Sequence, residues 1–309
     1  MRIIDDANLP LEGKYVIITG NFDGVHIGHR QLMQKARQIG AELNLPILAW
    51  TFKKHPGSYM GEHRYISTLS ERLSFFEEEG VSLTYLADFE KFRDFSGDDF
   101  INLLANEFCA SAVICGFNFT YGKNKCGDAA LLKKKLWELG IKSYVMPPVY
   151  VDGEVVSSSA VRKCISEGKA EKAERLLGRP YSFMLPVVHG NAYGRTIGVP
   201  TANLIFPEWR VVPRFGVYAT LCQIDGKQYP SVSNIGIRPT VKEEKKSILC
   251  ETHVLGQSFN LYDRAIRVSL ISLLREERKF ESFEELVKRV CSDVDSARSF
   301  FELRGEKKG

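Results

Sequence analysis

Gly20–Arg30 reads GNFDGVHIGHR, between the apolar run Tyr15-Val16-Ile17-Ile18 and a helical pattern from Gln31 to Asn44. A strand that ends in a glycine-bearing turn and opens a helix suits phosphate. The unpaired N–H groups of the first helical turn and the helix dipole both point at the ligand. His26 and His29 stand three residues apart, which puts both imidazoles on one face of that turn. From there they can grip the phosphates of a nucleotide from one side. Two histidines at this spacing are, by themselves, more often solvated or structural than catalytic. The whole string is more specific, because Gly20, Gly24 and Gly28 let the backbone turn tightly against a ligand and Asp23 stands near the start of the turn.

Outward from this turn, residues 14 to about 147 alternate between two kinds of segment. Tyr15–Thr19, Ile47–Phe52, Leu83–Leu86, Ala112–Cys115 and Tyr144–Met146 are short apolar runs that read as buried strands. Between them lie helical patterns at His29–Leu43, Ser70–Glu79, Ser96–Phe108 and Asp128–Leu139, with Ser96 and Asp99 spaced as a capping box. Strand and helix in regular succession give a parallel sheet with crossover helices, an α/β Rossmann-like domain whose ligands sit at the carboxyl ends of the strands. The Gly20–His29 and Gly116–Asp128 loops both leave strands at that edge. Ser159–Glu167 and Lys169–Leu177 form a helical bridge stopped by Gly178 and Pro180.

After Pro180 the pattern changes. Tyr181–His189, Thr201–Phe206, Gly216–Ile224, Gln228–Ile235, Ser247–Leu255 and Ala265–Leu274 are strand-like, with no helix between them. Asp225-Gly226 is a two-residue hairpin signal, and Ile266, Val268 and Leu270 alternate with polar residues as in a half-buried strand. An antiparallel β-barrel follows as the expected architecture, with a terminal helix from Ser282 that carries Phe283, Leu286, Val287 and Val290 on one face. The expected domains are residues 1–179 and 180–309.

The bulk composition excludes several classes. The chain has 309 residues, 44% hydrophobic and 26% charged, in the ordinary range for a folded soluble protein. A formal charge of +4 is too small to imply a nucleic-acid footprint, and Lys133-Lys134-Lys135 reads as a solvated helix face. Met1–Pro10 holds Asp5 and Asp6 and no apolar core segment, so it is not a signal peptide. No apolar run approaches the roughly 20 residues of a membrane span. The seven cysteines are odd in number and contain no C-x-x-C pair, which fits reduced thiols in a cytoplasmic enzyme.

Three further stretches support the opening turn. His55-Pro56 follows the strand ending at Phe52, and GFNFTYGKNKCGD (Gly116–Asp128) is rich in glycine and polar groups. Ser157-Ser158-Ser159-Ala160-Val161-Arg162 places three hydroxyls at a helix N-terminus with a cation inside it, a set that suits a polyphosphate or simple capping. His26-Ile27-Gly28-His29 resembles the H-x-G-H signature of the nucleotidyltransferase superfamily. The order GNFDGVHIGHR, FNFTYG…GD, SSSAVR resembles the FMN adenylyltransferase module of bacterial bifunctional riboflavin kinase/FAD synthetases. That resemblance implies that His26, His29 and Arg162 stabilise charge on the transferring group. It puts Asn118 near the reacting groups and makes Gly20, Phe22, Asp23, Gly24, Ser158 and Ser159 part of the nucleotide site. Against the family's I-S-S-T-x-[IV]-R, Val156 and Ser159 are conservative departures.

In the second half, GRTIGVPTANL (Gly194–Leu204) is not a P-loop. Only three residues separate Gly190 from Gly194, and Arg195 stands where lysine belongs. Thr201 and Asn203 alternate on a strand, so both can face one pocket, and a hydroxyl and an amide suit a phosphate-bound Mg²⁺. Glu251 lies in an otherwise apolar strand, either outward and solvated or as a general base. The series GRTIGVPTAN, NIGIRPT, Glu251-Thr252-His253, NLYD (Asn260–Asp263) and Arg275–Phe280 resembles the riboflavin kinase module of the same family. The resemblance implies that Thr201, as a metal ligand, and Asn203 bind MgATP, with Gly194, Thr196, Gly198 and Pro200 in the same cofactor-binding stretch. It also implies that Glu251 is the base for the ribityl hydroxyl. Two departures are Val199, where the family has phenylalanine, and Asp263, where it has glycine. Asp tolerates a left-handed turn.

The expected function is therefore two ATP-dependent transfers, riboflavin to FMN and FMN to FAD, with Mg²⁺ as cofactor and ATP, riboflavin and FMN as the small-molecule partners. An aminoacyl-tRNA synthetase shares the H-x-G-H signature, but no K-M-S-K-S follows and the barrel motifs go unexplained. A flavin-binding carrier is the non-enzymatic rival, and only the NLYD turn supports it.

Overall fold

Val16, Ile17 and Ile18 face alternate sides of a strand, yet none has solvent exposure, as expected of a strand flanked on both edges and covered on both faces. The structure, a computed structural model, describes residues 1–59, 64–190, 194, 197–238 and 247–305. The chain divides into two units, Met1–Ser158 and Ser159–Gly309.

The first unit contains, in order, β1 (Arg2–Ile4), β2 (Tyr15–Thr19), α1 (Ile27–Leu43), β3 (Ile47–Phe52), α2 (Leu69–Glu78), β4 (Leu83–Ala87) and α3 (Phe89–Phe92). There follow α4 (Gly97–Asn102), β5 (Ala110–Gly116), β6 (Thr120–Tyr121), β7 (Gly127–Asp128), α5 (Ala129–Glu138), β8 (Lys142–Met146), β9 (Tyr150–Val151) and β10 (Glu154–Val155). Six strands make one parallel sheet in the order β1-β4-β3-β2-β5-β8. The chain runs outward from β2 to β3 and β4 on one side, and to β5 and β8 on the other. The switch point is thus between β2 and β5, where the Gly20 and Gly116 loops leave the sheet. Val16 and Ile18 pack with Leu32, Met33, Ala36 and Ile39 of α1, while Ile17 packs with Phe100, Leu104, Leu132 and Leu136 on the other face.

The structure adds two features to the pattern read from the sequence. The N-terminal segment contributes a three-residue strand: β1 pairs in parallel with β4, and Ile4 is 1% exposed. Three residues are too few to show a period, so only pairing reveals this strand. The helical run read as Ser96–Phe108 starts with the expected capping box, Ser96 N to Asp99 Oδ2 at 2.8 Å and Asp99 N to Ser96 Oγ at 3.1 Å. It then widens to a π-turn over Leu103–Glu107, where the Phe108 N–H reaches back to the Leu103 carbonyl.

The second unit holds α7 (Ala170–Leu177), β11 (Tyr181–Val188), β12 (Ala202–Ile205), β13 (Gly216–Ile224), β14 (Lys227–Arg238), β15 (Ser247–Val254) and β16 (Ala265–Glu276). Helix α6 (Ser158–Ser166) precedes α7, and the terminal helix α8 (Phe283–Leu303) closes the chain. The strands form a closed antiparallel barrel, β11-β12-β15-β14-β13-β16. Asp225 (φ 50°) and Gly226 (φ 78°) make the left-handed two-residue turn between β13 and β14. The stripe read on α8 continues along the same helix face: Val290 packs with Val294 and Ala297, and these two with Phe301 are the buried contacts with the barrel, while Phe283 at the start of the helix is 59% exposed.

The barrel interior contains a chain of hydroxyls whose direction follows from proton counting. Ser231 gives its one proton to the Thr220 carbonyl at 2.9 Å. Its Oγ must therefore accept from Thr220 (2.8 Å), Thr220 from Ser233 (2.9 Å), and Ser233 from Thr252 (2.8 Å). Cys250 Sγ–H completes the series at 3.5 Å from Thr252 Oγ1, and burial pushes its thiol up to about 12. With every proton placed, the chain pins the register of β13, β14 and β15.

Candidate functional site

In the first unit, the turn after β2 reverses through three left-handed residues, Phe22 (φ 53°), Gly24 (φ 77°) and Val25 (φ 41°). A β-branched valine in that region is strained, and such strain persists where surrounding contacts impose it. Phe22 has no solvent exposure and meets His29 edge-on at 5.1 Å and Phe76 at 5.2 Å, so it supports His29 from the core. Asp23, 3% exposed, turns its carboxylate to the backbone N–H groups of Ile66 (3.0 Å) and Ser67 (3.2 Å). Gly24 N donates to Ser67 Oγ at 2.9 Å, and a Cβ on Gly24 would lie 2.9 Å from Ile66. A Cβ on Gly20 would meet the Phe22 ring at 3.1 Å.

His26 is the N-cap of α1: its Nδ1 accepts the His29 N–H at 3.2 Å. The neutral ring then carries its proton on Nε2, which makes that nitrogen a donor. The His26 and His29 rings stack at 3.6 Å and 13°. Burial, then the His26 ring and the Arg72 guanidinium, hold the His29 pKa well below the usual 6.5. Its Nδ1 is buried without a hydrogen-bond partner among the described residues.

Arg72 escaped the sequence reading. It is 7% exposed and donates to Asn21 O (2.7 Å), Thr51 Oγ1 (3.2 Å), Phe52 O (2.8 Å) and Lys53 O (3.3 Å). It thereby ties together the loops that leave β2 and β3. The available signal was an arginine sharing the buried face of α2 with Phe76.

Asn118 is exposed just past β5, and Gly116 packs beneath it with a Cβ position 3.4 Å from Asn118 Oδ1. The loop is shaped by two glycines that leave no room for a side chain. A Cβ on Gly122 would lie 2.7 Å from Cys126 Sγ, and one on Gly127 would lie 2.3 Å from the Tyr121 ring. Ser158 Oγ donates to the Asp23 carbonyl at 2.9 Å. Ser159 and Arg162 are on α6 in the second unit, where Arg162 Nη2 approaches Ser159 Oγ at 3.4 Å.

In the second unit, Glu251 is directly opposite Asn203 on β12 and Asn234 on β14. Paired residues of an antiparallel ladder share a face, so a carboxylate stands between two amides in one row. Cys250 and Thr252 point into the barrel with almost no exposure, which puts the Asn203–Glu251–Asn234 row on the outer face. Asn203 packs so closely on Gly190 that a Cβ there would come within 2.2 Å of Asn203 Nδ2. Gly194 accepts the Val199 N–H at 2.7 Å, and its missing Cβ would lie 3.6 Å from Thr201 Oγ1. Thr201 precedes β12, with Pro200 before it and Gly198 in a left-handed turn at φ 76°. Thr196 lies outside the described residues, as does Arg195.

His253, two residues beyond Glu251, holds the Pro200 carbonyl through Nδ1 at 2.8 Å. Burial, chiefly, lowers its pKa, against the Pro200 hydrogen bond and with a smaller push from Arg298. A cavity of about 50 Å³ between Thr201, Thr252 and Tyr262 opens beside the NLYD turn. Asp263 adopts φ 62° there, so the turn keeps a left-handed residue without glycine, and Tyr262 stacks on His189 at 4.1 Å. The roles of Asn234 and His253 were hidden because the strand register and the fold of the Pro200 segment decide them. Both residues stand inside motifs visible in the sequence.

Comparison with known proteins gives a consistent picture. The family model described as FAD synthetase matches residues 10–160, and that described as riboflavin kinase matches 177–301. The bifunctional riboflavin kinase/FMN adenylyltransferase of Escherichia coli is 35% identical, over 96% of this chain and 96% of its own. The proteins of the same name from Haemophilus influenzae and Bacillus subtilis are 33% and 32% identical, covering 97% and 94% of this chain and 98% and 93% of theirs. A solved structure described as a macrolide-efflux protein from Streptococcus pneumoniae is similar with a TM-score of 0.86 at 28% identity, covering 96% of this chain and 99% of that one. Among the described residues, no helix is long and apolar enough to cross a membrane.

Proposed function

The chain belongs to the bifunctional riboflavin kinase/FMN adenylyltransferase family, and from that premise we propose which residues carry its two reactions. The enzyme phosphorylates riboflavin to FMN with ATP and adenylylates FMN to FAD. We divide the work between residues 1–179 for adenylylation and 180–309 for phosphorylation, in a cytoplasmic protein with ATP, riboflavin and FMN as its partners.

In phosphorylation, the ribityl hydroxyl oxygen attacks the γ-phosphorus of ATP, its proton passes to Glu251, and ADP leaves with the electrons of the broken P–O bond. The observation that carries this assignment is the placement of Glu251 between Asn203 and Asn234 in one row. The two amides place donors and acceptors in the same row as the carboxylate. Thr201 and Asn203 fit a Mg²⁺ ion that arrives with ATP. Both offer neutral oxygens, and the glycines at 190 and 194 leave a cradle that a Cβ would fill. When bound, that ion offsets phosphate charge.

In adenylylation, an FMN phosphate oxygen attacks the α-phosphorus of a second ATP and pyrophosphate leaves. His26 Nδ1 is engaged by the helix, which leaves Nε2 as its proton-bearing nitrogen, and the His29 ring stacks on it. With Ser158 and Asn118 they stabilise the charge that develops on the transferred group, and we assign Ser159 and Arg162 of α6 to the same reaction.

The experiment is to incubate the full chain with riboflavin and MgATP and separate the flavins by chromatography. FMN followed by FAD is expected. Glu251→Ala should stop FMN formation while supplied FMN is still converted, and His29→Ala should do the converse. Equal loss of both activities in either variant would refute the two-site assignment.

A further inference from the structure

We infer that His253 is a positioning residue of the kinase site: by holding the Pro200 carbonyl, it sets the orientation of Thr201 relative to the strand that carries Glu251. This inference rests on the reading of Thr201 and Glu251 proposed above.

The hydrogen bond has one possible sense. A carbonyl has no proton to give, so His253 donates from Nδ1 to Pro200 O across 2.8 Å, and the neutral ring leaves Nε2 bare. The ring is 8% exposed and sits on the outer face of β15, opposite Val232 of β14 and within the electrostatic reach of Arg298 of α8. It is thus a fixed donor rather than a mobile surface group.

The Pro200 carbonyl and the Thr201 N–H share one planar peptide unit. Fixing the oxygen fixes the plane, and the plane sets where Thr201 can direct its Cβ and hydroxyl. Proline has no N–H, so this carbonyl is the only backbone polar group of Pro200 by which the segment can be held. One residue earlier, Val199 is held by Gly194 at 2.7 Å, and two residues after Thr201, Asn203 is in register with Glu251. The segment is gripped at Val199, at Pro200 and at Asn203, and Thr201 lies among these points. The E-x-H pattern thereby acquires a physical reason. Glu251 and His253 project on the same face of β15, one toward the reaction and the other toward the backbone that presents Thr201.

The test uses the full chain with His253→Leu, His253→Asn and Thr201→Ala. Asparagine places its amide N–H close to the imidazole Nδ1–H and keeps the donor, and leucine removes it. Steady-state kinase rates with varied MgATP and varied riboflavin are read together with calorimetric binding of MgADP. We expect His253→Leu to raise the MgATP KM and weaken MgADP binding by about tenfold or more, with the riboflavin KM within about twofold, and His253→Asn to recover most of that loss. Equal impairment of the leucine and asparagine variants, or a rise in both KM values alike, would overturn the inference. If Thr201→Ala weakens MgADP binding and His253→Leu does not, the inference falls alone. If Thr201→Ala leaves MgADP binding unchanged, the reading of Thr201 falls and the inference with it. Should His253→Leu fail to fold, the comparison of His253→Asn with His253→Gln decides, because glutamine presents its amide near the Nε2 position instead. Equal activity of those two would overturn the inference.

Discussion

Asn203 and Glu251 face each other across the β12–β15 ladder, and Asn234 fills the same row from β14. This arrangement makes Glu251 part of a small polar row, the setting in which we propose it as the base. Replacing it with alanine should lower FMN formation by about 100- to 10,000-fold, the usual range for a positioned proton acceptor. Conversion of supplied FMN to FAD should be unaffected. Both rates can be read by flavin chromatography on one preparation, and a kinase loss under about tenfold would remove Glu251 from the base role.

Arg72 spends its guanidinium on three carbonyls and a hydroxyl from two loops at the edge of the sheet. Arg72→Met should destabilise the first unit by on the order of 3 kcal/mol, because buried acceptors lose a charged donor. The same substitution removes one of the positive neighbours that depress His29. The His29 pKa should therefore rise while staying below the ordinary value, since burial, the larger cause, remains. Titration of the imidazole by NMR checks the direction. A fall would contradict the electrostatic assignment.

How much of this was legible beforehand depended on whether a feature is local. The turn after β2, the capping box at Ser96, the Asp225-Gly226 hairpin and the alternation that divides parallel sheet from barrel are all set by residues close in sequence. They could be read there. The partners of Glu251 could not be read, because register between distant strands is fixed by the whole barrel and one residue of slip would move a different side chain into the row. Arg72 was invisible for a related reason: a cation on an apolar helix face is explained only when distant carbonyls need donors. Phe22 and Asp23 stand inside the nucleotide motif, yet their side chains turn to Phe76 and to the backbone of Ile66 and Ser67. Sequence position in a motif does not say which members face the ligand.

Gly127 has ordinary backbone torsion, so space alone forbids a side chain there, with the Tyr121 ring as the obstacle. Gly127→Ala should displace Tyr121 or the strand pair β6–β7, cost about 1–3 kcal/mol as overpacking does, and slow FAD formation. FMN formation should not change. Trimming the ring in the Tyr121→Leu/Gly127→Ala double variant should recover stability relative to Gly127→Ala alone, giving a measurable coupling between the two sites. Simple additivity in chemical denaturation would show that the two residues do not collide.

His29 offers the sharpest electrostatic test. Its pKa is held well below 6.5, first by burial and then by His26 and Arg72, so at about pH 6.5 the ring of the empty site is neutral. A bound triphosphate brings several negative charges to the stacked pair, which favours the protonated form and raises the pKa. ATP binding should then draw a proton from buffer through His29. Calorimetric titrations at about pH 6.5 in buffers of different ionisation enthalpy measure that uptake, and the wild-type value should exceed that of His29→Gln by up to about one proton. The comparison with the variant cancels protonation of ATP itself and of the kinase site. The excess should shrink as pH rises, because a raised pKa still leaves the ring neutral well above it. Equal uptake in both proteins would show that His29 stays neutral throughout and serves the phosphates as an uncharged hydrogen-bonding group.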